Sequence, residues 1–383
     1  MNSKQRLLCA LRLGEPDRVP VTPDITMLYP AKYSGKPYWE MFLNSNPPSW
    51  QMKIDLARRF GFDAMVQMTL GKTKEEKEML SVKTVESNDN YRVAEYSYNT
   101  SEGLLKETTY FPKQEAPWVK EHLIKDVEQD YKKILAMFIN PWEKDTVEID
   151  KAGIYIGDDG LIGDFAGVPS FYWFMARGSI QDAIMDYYNY PEIMKKFTQA
   201  YTEYILEYIK ASCTKSKPGY FIFGGSYASM TIISPMFYRQ HNLPFLQKAC
   251  ELLKEFEVPS CVHMCGKSNE MVEVFAQETE LNMLEPLERP PGGNVSLKEV
   301  KQKYGKRLCL KGNVNTFITL ARGTSRDVVE EVKKCIEDAA EGGGFILASG
   351  DQVPGDTPEQ NFIAMIEAAK KYGIYKGAGQ NGF

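Results

Sequence analysis

The chain has 383 residues, 43% of them hydrophobic, 12% aromatic and 25% charged, which is enough apolar surface to close a core and excludes wholesale disorder. Its 46 Lys and Arg stand against 51 Asp and Glu, a net charge of −5 with no basic block, so a nucleic-acid groove built on phosphate neutralisation is not expected. No apolar h-region follows Met1 and no window reaches the roughly 18 apolar residues of a membrane span, and the 7 cysteines are odd in number and scattered, so a reducing cytoplasm and no membrane are expected.

Short β-branched or aromatic runs alternate with long helical patterns, the signature of parallel βα units. Strands are predicted at 19–22, 63–68, 153–157, 220–223, 260–264, 282–284, 308–310 and 345–347. Helices are predicted at 191–213, 235–256, 268–277, 325–341 and 358–371, where apolar residues recur three and four apart. Eight strands, most followed by a helix, predict an α/β chain closed as a (β/α)8 TIM barrel, one domain over 1–383. Residues 80–112 break this rhythm and read as an inserted β-meander, and the glycine-rich tail 377–383 is expected to be loose.

In such a barrel, chemistry belongs where strands end. Asp158 and Asp159 follow the third predicted strand, where a carboxylate could orient substrate or act as acid or base, although exposed loop aspartates are equally at home there. Gly224 and Gly225 follow the fourth and would let backbone approach a ligand, with Tyr227 beside them and Ser234 reading as a helix N-cap before Pro235. Tyr172, in the aromatic run 171–174, would line a pocket or pack under a helix, and Asn313 closes the seventh strand.

His263 and Cys265 leave the fifth strand two residues apart, a spacing that projects both side chains to one side. Imidazole and thiolate held this way make half of a tetrahedral zinc site, although a cysteine beside a satisfied histidine is also ordinary core. A third ligand must come from another strand end. Glu285 and Asp351 qualify, 20 and 86 residues after Cys265.

Four stretches in this order carry a family resemblance: Leu13-Gly14-Glu15-Pro16-Asp17-Arg18-Val19-Pro20-Val21, His263-Met264-Cys265-Gly266, Lys311-Gly312-Asn313-Val314-Asn315, and the run from Gly350-Asp351-Gln352 to Thr357-Pro358-Glu359. Together they resemble the uroporphyrinogen decarboxylase superfamily, which includes zinc-dependent corrinoid methyltransferases. The resemblance implies a (β/α)8 barrel and singles out a branch. The arginine-rich clamp of true uroporphyrinogen decarboxylases is replaced by Asp24-Ile25-Thr26-Met27-Leu28-Tyr29, their substrate-binding aspartate by Leu70, and their late histidine by Asp351. The methyltransferase branch keeps His-X-Cys-Gly with a late cysteine, whose place Asp351 takes here.

Cobalamin-independent methionine synthase, a distant barrel, places a glutamate about where Glu285 falls. The resemblance therefore implies zinc on His263, Cys265 and Glu285, with Asp351 as fourth ligand or as a catalytic base. It implies methyl transfer between a small methoxy compound or thiol and the cobalamin of a partner corrinoid protein. An oxygen ligand in place of a thiolate makes the metal more Lewis-acidic, which leans towards demethylation. A metal-free decarboxylase acting on another carboxylated substrate is the alternative, and homodimerisation is left open.

Overall fold

The computed structural model describes residues 1–25 and 28–375, and the tail 377–383 lies outside the described residues. In chain order the strands are β1 (Ala64–Met68), β2 (Leu80–Ser87), β3 (Tyr91–Thr100), β4 (Gly103–Pro112), β5 (Trp118–Glu121), β6 (Gly160–Ala166), β7 (Tyr220–Gly224), β8 (Ser260–His263), β9 (Met283–Glu285), β10 (Cys309–Val314) and β11 (Phe345–Ser349). Seven of them form one parallel sheet in the order β1-β6-β7-β8-β9-β10-β11.

Residues 19–22 lie between the two edges of that sheet. Thr22 N donates to Leu347 O and Leu347 N to Pro20 O, both at 2.9 Å, while Asp63 N donates to Val21 O at 2.8 Å on the other side. The sheet is thus curled in the manner of a TIM barrel. Pro20 has no N–H to give, which explains why the first predicted strand is reduced to a bridge.

The third predicted strand is misplaced. Residues 153–157 fall in the last turn of the helix Val147–Ile156 and its cap, and the strand is β6. Gly153-Ile154-Tyr155-Ile156-Gly157 looks β-like locally, but Ile149, Ala152 and Ile156 are buried at helical spacing while Ile154 is 86% exposed. The 3.6-residue period outweighs the β-branched run. The helix predicted at 235–256 is interrupted at Asn242, giving Pro235–His241 and Leu243–Glu255. Asn242 is buried and holds the start of the helix Pro169–Arg177: Ser170 N donates to its Oδ1 at 3.0 Å, and its Nδ2 donates to Ser170 Oγ at 2.9 Å.

Strands β2 to β5 pair antiparallel in that order and reach Glu121, past the predicted boundary at 112. Ala94 and Phe111 of this sheet pack on Trp39. Among the described residues, no helix is long and apolar enough to cross a membrane.

The helix Ser3–Leu11, started by a capping box between Asn2 and Gln5, buries Leu7, Ala10 and Leu11 against Leu161, Tyr220, Cys261, Met283, Cys309 and Ile346. These partners all sit at the first or second position of their strands, so the helix plugs the N-terminal end of the sheet. Each fully buried leucine contributes about 1.5–3 kcal/mol there. Asp63 fastens the same end: Arg6 Nη1 donates to it at 2.6 Å, Arg18 Nη1 at 2.9 Å and Val21 N at 2.9 Å. With one end filled, the strand exits at the other end are left to carry a site.

Candidate functional site

His263 closes β8, Cys265 follows it in the loop, and Asp351 lies in the loop after β11. The three offer ligand atoms that all lie within 4.8 Å of one another, and His263 Nε2 is 4.0 Å from Asp351 Oδ1. A tetrahedral ion with bonds of about 2.0–2.3 Å wants donors roughly 3.3–3.8 Å apart, so side-chain movements of about an ångström would seat one. Gly266 makes the turn after Cys265 at φ 77°, and a Cβ there would meet Thr231 Oγ1 at 2.3 Å. Its N–H donates to Glu288 Oε2 at 2.7 Å, which pins the loop.

Glu285, named from the sequence as the third ligand, is turned elsewhere. Its Oε1 lies 3.0 Å from His263 Nδ1 and its Oε2 accepts from Lys311 Nζ. Burial alone would push this carboxyl up, but Lys311 and His263 override it and hold the pKa at about 2. An ionised carboxylate only accepts, so Nδ1 carries the proton, and Nε2 faces Asp351. A carboxylate behind a histidine in this way orients the ring and raises its basicity towards a metal. Burial opposes charge on His263, yet Cys265 and Glu285 raise its pKa well above the ordinary value; burial raises that of Asp351, with His263 opposing.

The other residues singled out in the sequence divide. Asp158 and Asp159 precede β6 and lie at the plugged end, where Asp158 O accepts from Lys4 N and exposed Asp159 pairs with Arg58 at 2.7 Å. They are remote from His263 because the segment they follow, predicted as a strand, is a helix. A further carboxylate of the same region, Asp164 inside β6, is buried and accepts from Tyr208 and Ser212 of the long helix Pro191–Lys215. Asn313 is engaged with Leu287 O, Arg289 and Cys335, which accounts for its side chain without substrate.

Gly225 is at the mouth, and a Cβ on it would fall 1.9 Å from the Phe171 ring. Tyr227 stacks on Phe171 with centroids 6.0 Å apart at 28°. Tyr172 instead packs among Phe138, Phe197 and Tyr201. With Pro169 opening the helix, neighbouring residues point about 100° apart, so Phe171 reaches the strand exits and Tyr172 does not. Sequence reasoning also passed over Lys311 and Glu288. A lone lysine in the apolar run Leu308-Cys309-Leu310 was the available signal for the first; Glu288 had none.

Residues 109–372 match the family model described as uroporphyrinogen decarboxylase (URO-D). Methylcobamide:CoM methyltransferase MtbA of Methanosarcina acetivorans is 28% identical over 145 residues, 38% of this chain and 40% of that protein. Its counterpart in Methanosarcina mazei is 29% identical over the same length. Uroporphyrinogen decarboxylase of Methylobacillus flagellatus is 26% identical over 223 residues, 54% of this chain and 58% of that protein. The chain thus spans only about half the length of the curated relatives it matches. A solved structure described as a methyltransferase from Methanosarcina mazei superposes with a TM-score of 0.68 at 21% identity, covering 97% of this chain and 99% of that one, which agrees with the curled α/β sheet. With the family match running through more than half of its length, the chain belongs to the uroporphyrinogen decarboxylase (URO-D) family.

Proposed function

We propose that this protein is a corrinoid-dependent methyltransferase, moving a methyl group between a small thiol or methoxy compound and the cobalamin of a separate corrinoid protein, with zinc held by His263, Cys265 and Asp351. The convergence of those three donor atoms within 4.8 Å, from two separate strand exits at one end of the sheet, carries the reading. When bound, zinc supplies Lewis acidity at an open position, enough to favour the thiolate of a thiol or to polarise an ether oxygen.

The residues present suit such an ion. Cys265 and Asp351 bring two negative charges to a dication, and His263 presents a lone pair on Nε2 when Glu285 holds the proton on Nδ1. Glu285 and Lys311 offset each other's charge behind the ring. Phe171 and Tyr227 give an apolar wall that keeps water off a reacting methyl group. Two relatives named as methylcobamide:CoM methyltransferases support the reaction class.

Elemental analysis after dialysis tests this, with about one zinc per chain expected. His263→Ala, Cys265→Ser and Asp351→Asn should each lose the metal, and with it the demethylation of methylcobalamin by small thiols or the reverse reaction with methoxy compounds. Wild-type protein that holds no zinc after metal supplementation would sink the proposal and restore the metal-free decarboxylase.

A further inference from the structure

A narrow recess in the interior of the sheet is bordered by Glu285 and Lys311, by Asp24, Gln67 and Tyr220, and by Lys53 from the helix Ser49–Phe60. Lys53 stands out among them. Among the described residues it has neither a hydrogen bond nor an ion pair, although burial withdraws its ammonium from water and pulls its pKa down, with Asp24 partly opposing. The remaining charges facing the recess are differently placed. Glu285 is matched by Lys311 and His263, and Asp24 helps to keep Lys53 charged. Lys53 is half-buried and lines the recess, so its ammonium has room beside it for an anionic group in place of lost water.

We propose that this recess is a subsite for a carboxylate on the substrate, with Lys53 as its counter-ion. A carboxylate gives Lys53 the charge-assisted hydrogen bond that the fold withholds, and Tyr220 and Gln67 line the same space. The recess is small, about 30 Å³, which favours a three-atom carboxylate over a bulkier sulfonate. Glu285 belongs both to this lining and to the His263 contact, so an acid bound here lies beside the carboxylate that contacts the candidate metal group. The inference rests on the methyltransferase reading only in calling the ligand a substrate.

Calorimetric titration of the purified full-length protein with acetate, methanesulfonate and acetamide tests it. Acetate should bind saturably, acetamide should not, and Lys53→Gln and Lys53→Met should weaken acetate by about tenfold or more while retaining zinc. If those variants fold poorly, acetate should protect Lys53 of the wild-type protein from acylation, read by mass spectrometry. Absence of acetate binding, equal binding in folded Lys53→Gln, or tighter binding of methanesulfonate overturns the carboxylate assignment. Zinc content, measured on the same samples, separates the two claims: acetate binding to a protein that never holds zinc leaves the subsite and removes the methyltransferase, and the opposite result does the reverse.

Discussion

Replacing Glu285 by Met removes the partner of buried Lys311 and half-buried His263 at once. The side chains of Lys311 and Glu285 are 8% and 4% exposed, so neither can recover its hydration without opening the sheet. Breaking a buried pair from one side costs about 3–5 kcal/mol, chiefly because the remaining charge is stranded. Lys311→Met should cost less, since Glu285 keeps its contact with His263 Nδ1. The double variant exchanges the pair for two apolar side chains of similar length and should recover most of the loss, giving a coupling energy of about 2 kcal/mol or more in a double-mutant cycle. Urea unfolding of the four proteins at pH 7 supplies the cycle. Zinc affinity provides an independent reading, because the histidine loses its oriented partner in both variants that lack Glu285, and a drop of about 10–100-fold is expected in each, stability restored or not. Additive single variants, or metal affinity that recovers along with stability, would refute the picture of Glu285 as the link between a buried lysine and the His263 ring.

Three further outcomes follow from the same structure. Gly225→Ala should destabilise by about 1–3 kcal/mol, because its Cβ would lie 1.9 Å from the Phe171 ring at a φ of 142°, and Phe171→Ala in the same chain should return only part of that, since the backbone strain persists; thermal unfolding of both variants decides. Asp164 has its pKa raised by burial to about 6, against the hydrogen bonds from Ser212 and Tyr208 that lower it. Its folded form therefore holds the proton more tightly than the unfolded chain does, so this contribution to stability is full below the ordinary carboxyl pKa and is lost as pH rises through about 6. The stability difference between wild type and Asp164→Asn should shift in favour of wild type by a few kcal/mol from pH 7.5 to pH 4, and parallel profiles in urea would count against it. Asp158→Ala and Asp159→Ala should leave methyl transfer within about twofold and stability within about 1 kcal/mol, because both sit at the plugged end and the Arg58–Asp159 pair is exposed; a large loss of turnover would mean that the site extends there.

Periodicity and strand-end chemistry, both readable along a line of residues, located most of this architecture. The alternation of short apolar runs with 3.6-residue patterns placed β1 and β7 to β11 within a residue or two at most ends, because burial between helices and a curled sheet leaves a local mark on composition. His263 and Cys265 were legible for the same reason, since two residues along a strand exit share a side whatever the rest of the chain does. The resemblance to a family, carried by four short motifs, is supported by a match over residues 109–372. Local pattern failed at 153–157, where a β-branched run sits at the end of a helix, and with it went the placement of Asp158 and Asp159.

Composition and spacing thus determined that this chain would form βα units and bring a histidine and a cysteine to one strand exit. Which carboxylate comes near them depends on the curling of the sheet: it carries the β11 exit, remote in sequence, to 4.0 Å from His263 Nε2, while Glu285 on the adjacent strand is drawn to Nδ1 and to Lys311. The same closure gathers Lys53, Tyr220 and Lys311 around one recess, although 258 residues separate the first from the last. Spacing along one strand is a property of the backbone, but contact between strand ends depends on the stagger and closure of the whole sheet, which no single stretch of sequence contains.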